Sequence, residues 1–210
     1  MVFHGQFDPP MDRVLWEVAL AGSREPGIFL ESGALDGRQN SNGLFFEESL
    51  GWTGINVEPV PHLFSRLQRH RPKALNLPFA LSDRFGFQEI SFPAHPVHGD
   101  NFGNASLQHT AAHKAVLEKS GCTFTSFMVP TVPFGHLAQF FDIAAIDLFS
   151  LDVEGHEMAV LRSMFEAEAY PRILCVEIDH ADADAIRGML QARGYQLVGE
   201  HFANLIAKRP

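Results

Sequence analysis

Tyrosine, tryptophan and cysteine are scarce in this chain, with two of each among 210 residues. Cys122 and Cys175 have neither metal-ligand nor redox spacing. Cys175 lies in the apolar run Ile173-Leu-Cys-Val176, so a buried, reduced thiol is expected rather than a disulfide. Basic residues are also few, 16 Lys and Arg against 25 Asp and Glu, for a net charge of −9. That balance argues against a nucleic-acid partner, because phosphate binding needs a basic face. The one dense basic stretch holds Arg66, Arg69, Arg71 and Lys73 and reads as the solvated face of a helix. No apolar run approaches a membrane span. No basic region followed by a long apolar stretch opens the chain, so no secretory signal is expected and a cytoplasmic setting follows. There is no Gly-Lys-Ser/Thr phosphate loop, no internal repeat and no low-complexity linker. What is present in quantity is phenylalanine, 19 residues, within a hydrophobic fraction of 46%. The length suits one domain, residues 1–210, with a sizeable core.

Apolar periodicity then orders the chain. Asp8-Pro9-Pro10 starts a helix that runs from Met11 to Ala21 and stops at Gly22, giving a helical extension over residues 1–26. Strands are expected at Ile28–Glu31, Gly54–Val57, Ala74–Leu81, Ile146–Val153 and Arg172–Ile178. Helices are expected at Asn42–Leu50, Pro61–His70, His156–Met164 and Asp182–Arg193. Tyr195–Glu200 and Asn204–Ala207 read as a closing hairpin. The alternation breaks between Asp83 and Thr131, where strands at Phe87–Phe92 and Cys122–Val132 flank a Gly/Asn-rich segment, Gly99–Asn104, and a helix at Ser106–Lys119. The pattern implies an α/β fold: a mostly parallel sheet with helices on both faces and an antiparallel edge.

The chemistry concentrates in Glu31-Ser-Gly33-Ala-Leu-Asp36-Gly37, where the first strand hands over to a helix, and in Glu58, which ends the second strand. Ligands of open α/β sheets sit outside the carboxyl ends of the strands, and an acid after the second strand can accept bonds from both ribose hydroxyls. A dinucleotide fingerprint needs a second glycine where this chain has Leu35, which disfavours a nicotinamide oxidoreductase. An acid ahead of the glycines suits an ammonium better than a phosphate. Acid, glycine and ribose-binding acid together describe S-adenosylmethionine. Glu31 and Asp36 can equally cap the following turn or helix.

Phe29-Leu-Glu-Ser-Gly-Ala-Leu-Asp-Gly37, Ser41-Asn42, Leu50-Gly-Trp-Thr-Gly54 and Val57-Glu-Pro59 resemble the FkbM-type S-adenosylmethionine-dependent methyltransferases. So do Ala80-Leu-Ser-Asp83, Val129-Pro-Thr131 and Ile146-Asp-Leu-Phe-Ser-Leu-Asp-Val-Glu-Gly155, with Glu157 and Leu161 following. The resemblance spans residues 27 to 165. It implies a class I methyltransferase, Rossmann-like sheet of seven strands with the last one antiparallel. It also implies a methionine pocket shaped by Glu31, Gly33 and Gly37, helped by Ala34, Asp36 and Asn42. Glu58 and Pro59 would stand at the ribose, Ser82 and Asp83 beside the adenine, and Asp152 near the sulfonium. Glu31-Ser32 departs from the Asp followed by a small apolar residue or Gly that many members carry.

Candidate bases for the acceptor stand at strand ends: Asp152, Glu154 and His156 after the fourth strand, Glu177, Asp179 and His180 after the fifth. Glu157 is equally readable as helix N-terminal charge. Asp152, Asp179 and His180 can hold a divalent cation, and His109 and His113 lie one helical turn apart. No third ligand is marked beside that pair, so no metal is assigned. Residues 85–129, rich in Phe and His, are expected to cap the acceptor side, with Phe102 and His98 affecting turnover. The acceptor expected is a hydroxyl on a small molecule, sugar or other glycan, or natural product. Amine methylation and a silent cofactor-binding module are the alternatives.

Overall fold

The computed structural model describes residues 1–100, 102–141 and 145–210, apart from the side chain of Ala138. In chain order its elements are α1 (Met11–Val14, continued by a π-helical turn, Leu15–Ala19), β1 (Ile28–Ser32), α2 (Leu44–Leu50), β2 (Thr53–Val57), α3 (Pro61–His70), β3 (Leu75–Leu77), β4 (Ala80–Ser82), β5 (Gly86–Ala94), α4 (Ala111–Lys119), β6 (Thr123–Pro133), α5 (Phe134–Phe140), β7 (Leu148–Leu151), α6 (Glu157–Glu166), β8 (Ile173–Glu177), α7 (Ala183–Ala192), β9 (Gln196–His201) and β10 (Asn204–Lys208). Seven strands form one sheet in the order β3-β2-β1-β7-β8-β10-β9. β10 runs antiparallel to both neighbours, and the other neighbouring pairs are parallel. This is the α/β, class I arrangement expected.

Period-two alternation explains the layering. In β1, Leu30 joins Val160, Met164 and Ile186 on one face, while Phe29 joins Leu15, Phe45 and Phe46 on the other. The same split recurs in β8, with Leu174 and Val176 on the first face and Ile173 and Cys175 on the second. Strands buried on both faces read as uninterrupted apolar runs, and the sequence shows such runs. Cys122 and Cys175 are buried and free. Among the described residues, no helix is long and apolar enough to cross a membrane.

The expected strand Ala74–Leu81 is two strands. Pro78 interrupts it: β3 pairs with β2, whereas β4 pairs with β6 in a separate three-stranded sheet, β4-β6-β5. The third core cluster lies under that sheet, where Val60 and Leu63 meet Ile90, Phe92 and Val129. The helix expected from Ser106 starts at Ala111, because the Thr110 hydroxyl caps it by accepting from His113 N at 3.1 Å. The helix α5 was not expected. Asn101, part of the expected Gly/Asn-rich segment, lies outside the described residues. The basic stretch is corrected at Arg71, which is only 1% exposed.

Candidate functional site

The turn after β1 is built on close backbone approach. Gly33 has φ +85°, and a Cβ there would overlap the carbonyl oxygen of Asp152 at the end of β7. The N–H groups of Gly33 and Ala34 donate to Val57 O at 3.1 and 3.2 Å, tying the turn to the end of β2. Glu58 follows. Its carboxylate accepts Leu35 N–H at 2.9 Å and Val60 N–H at 2.8 Å. Burial pushes its pKa up to about 8, against the pull of those two N–H groups. Each carboxylate oxygen has accepted one bond here and retains capacity for another.

Glu31 is 5% exposed. It accepts the Ser41 hydroxyl at 2.7 Å, Asn42 N–H at 2.6 Å and Gly43 N–H at 3.3 Å, so it organises the entry to α2. Arg71 stands 3.9 Å away, donates twice to Glu47 at 2.9 and 2.7 Å, and donates to Gly37 O and Ser41 Oγ, each at 3.1 Å. The glycine-rich turn is therefore strapped to α2 and to the end of α3 by one buried guanidinium.

Between these elements opens a cleft of about 1100 Å³, its mouth included. Of the expected cofactor residues, Glu31, Gly33, Ala34, Asn42, Glu58, Pro59 and Asp152 line it. Asp36 and Gly37 are not in its wall. Asp36 accepts Arg38 and Gln39 N–H, both at 2.9 Å, and a Cβ on Gly37 would press on Leu67 and Arg71. Ser82 and Asp83 also stand outside the wall. Ser82 Oγ is buried, 3.0 Å from Nε2 of His156, which does line the cleft. Asp83 points outward to Arg84 at 3.2 Å. Sequence reasoning missed Gln6, Phe7 and Met11, and Asn204 from β10, which also line it. Phe102 and Asn104 of the middle segment line the cleft, whereas His98 is exposed, stacks on Phe102 with ring centroids 5.7 Å apart and packs on His95 at 4.7 Å.

A second cavity of about 760 Å³, its open mouth included, adjoins the first through Asp152, Glu154 and Asn104, and adds Glu177, Asp179 and His180. Of the expected catalytic residues, Asp152, Glu154, Asp179 and His180 meet here, and His156 does not. Neither cavity has a Lys or Arg among its described wall residues. Burial first, and then mutual repulsion, raises the pKa of Glu154 and Glu177. Burial and the neighbouring carboxylates favour the protonated form of Glu177, and burial also raises the pKa of Asp152. Glu157 serves the loop: its carboxylate accepts Val153 N–H at 3.0 Å and Gly155 N–H at 3.1 and 3.0 Å.

Comparison with known proteins bears on this geometry. The model of the methyltransferase FkbM domain matches residues 31–197. The solved structure of a methyltransferase FkbM from Methylobacillus flagellatus KT superposes with a TM-score of 0.53 at 14% identity, covering 90% of this chain. This chain spans 45% of that chain's length. The METTL16 MTase domain superposes with a TM-score of 0.52 at 8% identity, over 96% of this chain and 67% of its own. Likeness at such identities is likeness of fold. No curated protein matches the chain.

Proposed function

The chain belongs to the methyltransferase FkbM domain family, and we propose that it transfers a methyl group from S-adenosylmethionine to a hydroxyl of a small molecule or glycan. The observation that carries this reading is the convergence of Gly33, Glu58 and Asp152 on one cleft at the carboxyl ends of β1, β2 and β7.

The residues present fit the cofactor. Glu58 offers acceptor capacity at the ribose position, and the Gly33 turn leaves backbone rather than side chain against the ligand. The cofactor supplies an electrophilic methyl on a sulfonium. Ala34 and Asn42 would hold the methionine end and Pro59 the ribose, with Asp152 at the junction between the two cavities. The roles of Glu31 and Asn42 join there, since the carboxylate holds the backbone that presents the amide.

The acceptor belongs in the second cavity. A hydroxyl oxygen attacks the methyl carbon, the carbon–sulfur bond breaks, and the hydroxyl proton passes to a nearby base. Glu154 and His180 border that space and are the bases favoured here, with Asp152 and Asp179 shaping its field. Aligning the two reactants and excluding water supplies most of the rate. The middle segment contributes Asn104 to the wall of the second cavity and Phe102 to the wall of the cofactor cleft alone, so its part in capping the acceptor rests on Asn104.

One observation favours a second reading. A cavity walled by carboxylates, with no Lys or Arg among its described residues, also suits a cationic amine. Incubation with S-adenosylmethionine and matched hydroxyl and amine acceptors, followed by S-adenosylhomocysteine release, separates the two. Release with the hydroxyl set supports oxygen transfer, and release with amines alone overturns it.

A further inference from the structure

Where the cofactor cleft meets the second cavity, the 104–113 segment, Glu154 and His180 bring electron-pair donors to one point. Gly155, at φ +101°, allows it: a Cβ there would stand 3.2 Å from Gln108 O and from His180 O. The chain ahead of α4 and the turn after β8 thereby close on Glu154, which itself holds φ +57°. Nε2 of His180 is 3.5 Å from Glu154 Oε2, and Nε2 of His113 is 3.9 Å from the same oxygen. Oδ1 of Asn104 lies 3.1 Å from His113 Nε2.

We propose that Asn104, His113, Glu154 and His180 form a binding site for one divalent transition-metal cation. Metal–ligand bonds of about 2.0–2.1 Å in a tetrahedron set neighbouring ligand atoms about 3.4 Å apart. The three separations above bracket that edge. The donor set of two imidazoles, a carboxylate and a carbonyl oxygen suits zinc or manganese better than magnesium, which demands near-octahedral oxygen ligation.

A second observation points to the same ligand. Glu154 Oε2 is buried and has no hydrogen-bond partner. Beside it the His113 side chain is 3% exposed. Asp152, Glu154 and Glu177 also lie within reach of one another on the adjoining side, with no Lys or Arg among the described wall residues to offset them. The two imidazole rings stack 3.5 Å apart, so binding splays them, and His180, 25% exposed, has room to swing. The site stands without the methyl-transfer reading. Its consequence for methyl transfer rests on that reading: with the cation bound, Glu154 and His180 serve as ligands, the cation lowers the pKa of the acceptor hydroxyl, and the carboxylates of Asp152 and Asp179 in the same wall take its proton.

The test is calorimetric titration of the chelator-treated full chain with Zn²⁺, Mn²⁺ and Mg²⁺. One equivalent of Zn²⁺ or Mn²⁺ should bind, Mg²⁺ should not compete, and Glu154→Gln should weaken binding about 10–100-fold. His113→Ala should weaken it at least as much, while the surface variant His136→Ala should match the wild type. The Co²⁺ adduct of the wild type should show the visible absorption of nitrogen ligation, a readout that survives if a variant fails to fold. No saturable binding, equal binding by folded His113→Ala, or a Co²⁺ spectrum of oxygen ligands alone overturns the site. S-adenosylhomocysteine titrated into the same preparations reports separately on the cofactor cleft.

Discussion

Gly33 and Asp152 touch backbone to backbone: a methyl group on Gly33 would overlap the Asp152 carbonyl oxygen. The two residues end neighbouring parallel strands, so this contact brings the glycine turn against the carboxylate that separates the two cavities. Gly33→Ala adds both that overlap and a side chain at φ +85°. It should destabilise the fold by about 2–4 kcal/mol and weaken S-adenosylhomocysteine binding at least tenfold. Denaturant unfolding and calorimetry check this, and a variant that unfolds and binds like the wild type contradicts it.

Arg71→Met should cost about 3–5 kcal/mol, because it leaves the Glu47 and Glu31 carboxylates without their buried cation. Urea midpoints of the two proteins measure the difference. A loss below about 1 kcal/mol would assign Arg71 to ordinary surface pairing.

Arg71 also shows where sequence reading stops. Spacing identified α3 to the residue, since Pro61 opens it, Leu63 and Leu67 face inward and Pro72 follows it. The same spacing put Arg71 with its basic neighbours, because the partners Glu31 and Glu47 come from elements that only the fold places beside it. Strands buried on both faces were legible as apolar runs, and Gly51, at φ +70°, marked the end of α2. The split at Pro78 was not legible, because β3 and β4 each have three residues and belong to different sheets. Of the cleft, the glycine turn and the strand-end acids were legible. Gln6, Phe7 and Asn204 were not, for they reach it from segments with no motif. His113 and His180 are 67 positions apart, 180 − 113, yet their rings stack.

Glu58 sets a pH dependence. Its folded pKa of about 8 lies above the ordinary 4.5, so the folded state holds a proton that the unfolded chain gives up. Its contribution is complete below about pH 4.5 and is lost as pH rises toward and through 8. The Tm of the ligand-free protein should therefore fall over that window, and Glu58→Gln should flatten the fall. Thermal melts at half-unit pH steps decide it, and parallel curves for the two proteins would remove Glu58 as the cause.

Phe102 lines the cleft from the middle segment. Because Phe102 is absent from the wall of the acceptor cavity, Phe102→Ala should weaken S-adenosylhomocysteine binding several-fold and leave the acceptor KM within about threefold, a change near 0.6 kcal/mol at most. If the acceptor KM rises and cofactor affinity holds, the segment covers the acceptor instead.

The most direct measurement is calorimetric titration of the wild type and Glu58→Ala with S-adenosylhomocysteine, beside NADH. The wild type should bind one equivalent of S-adenosylhomocysteine, and Glu58→Ala should bind it about 10–100-fold more weakly, the scale of stranded hydroxyl partners at about 1–3 kcal/mol. NADH should give no saturable heat with either protein. Saturable NADH binding that S-adenosylmethionine displaces, or no S-adenosylhomocysteine binding by the folded wild type, would contradict the cofactor assignment.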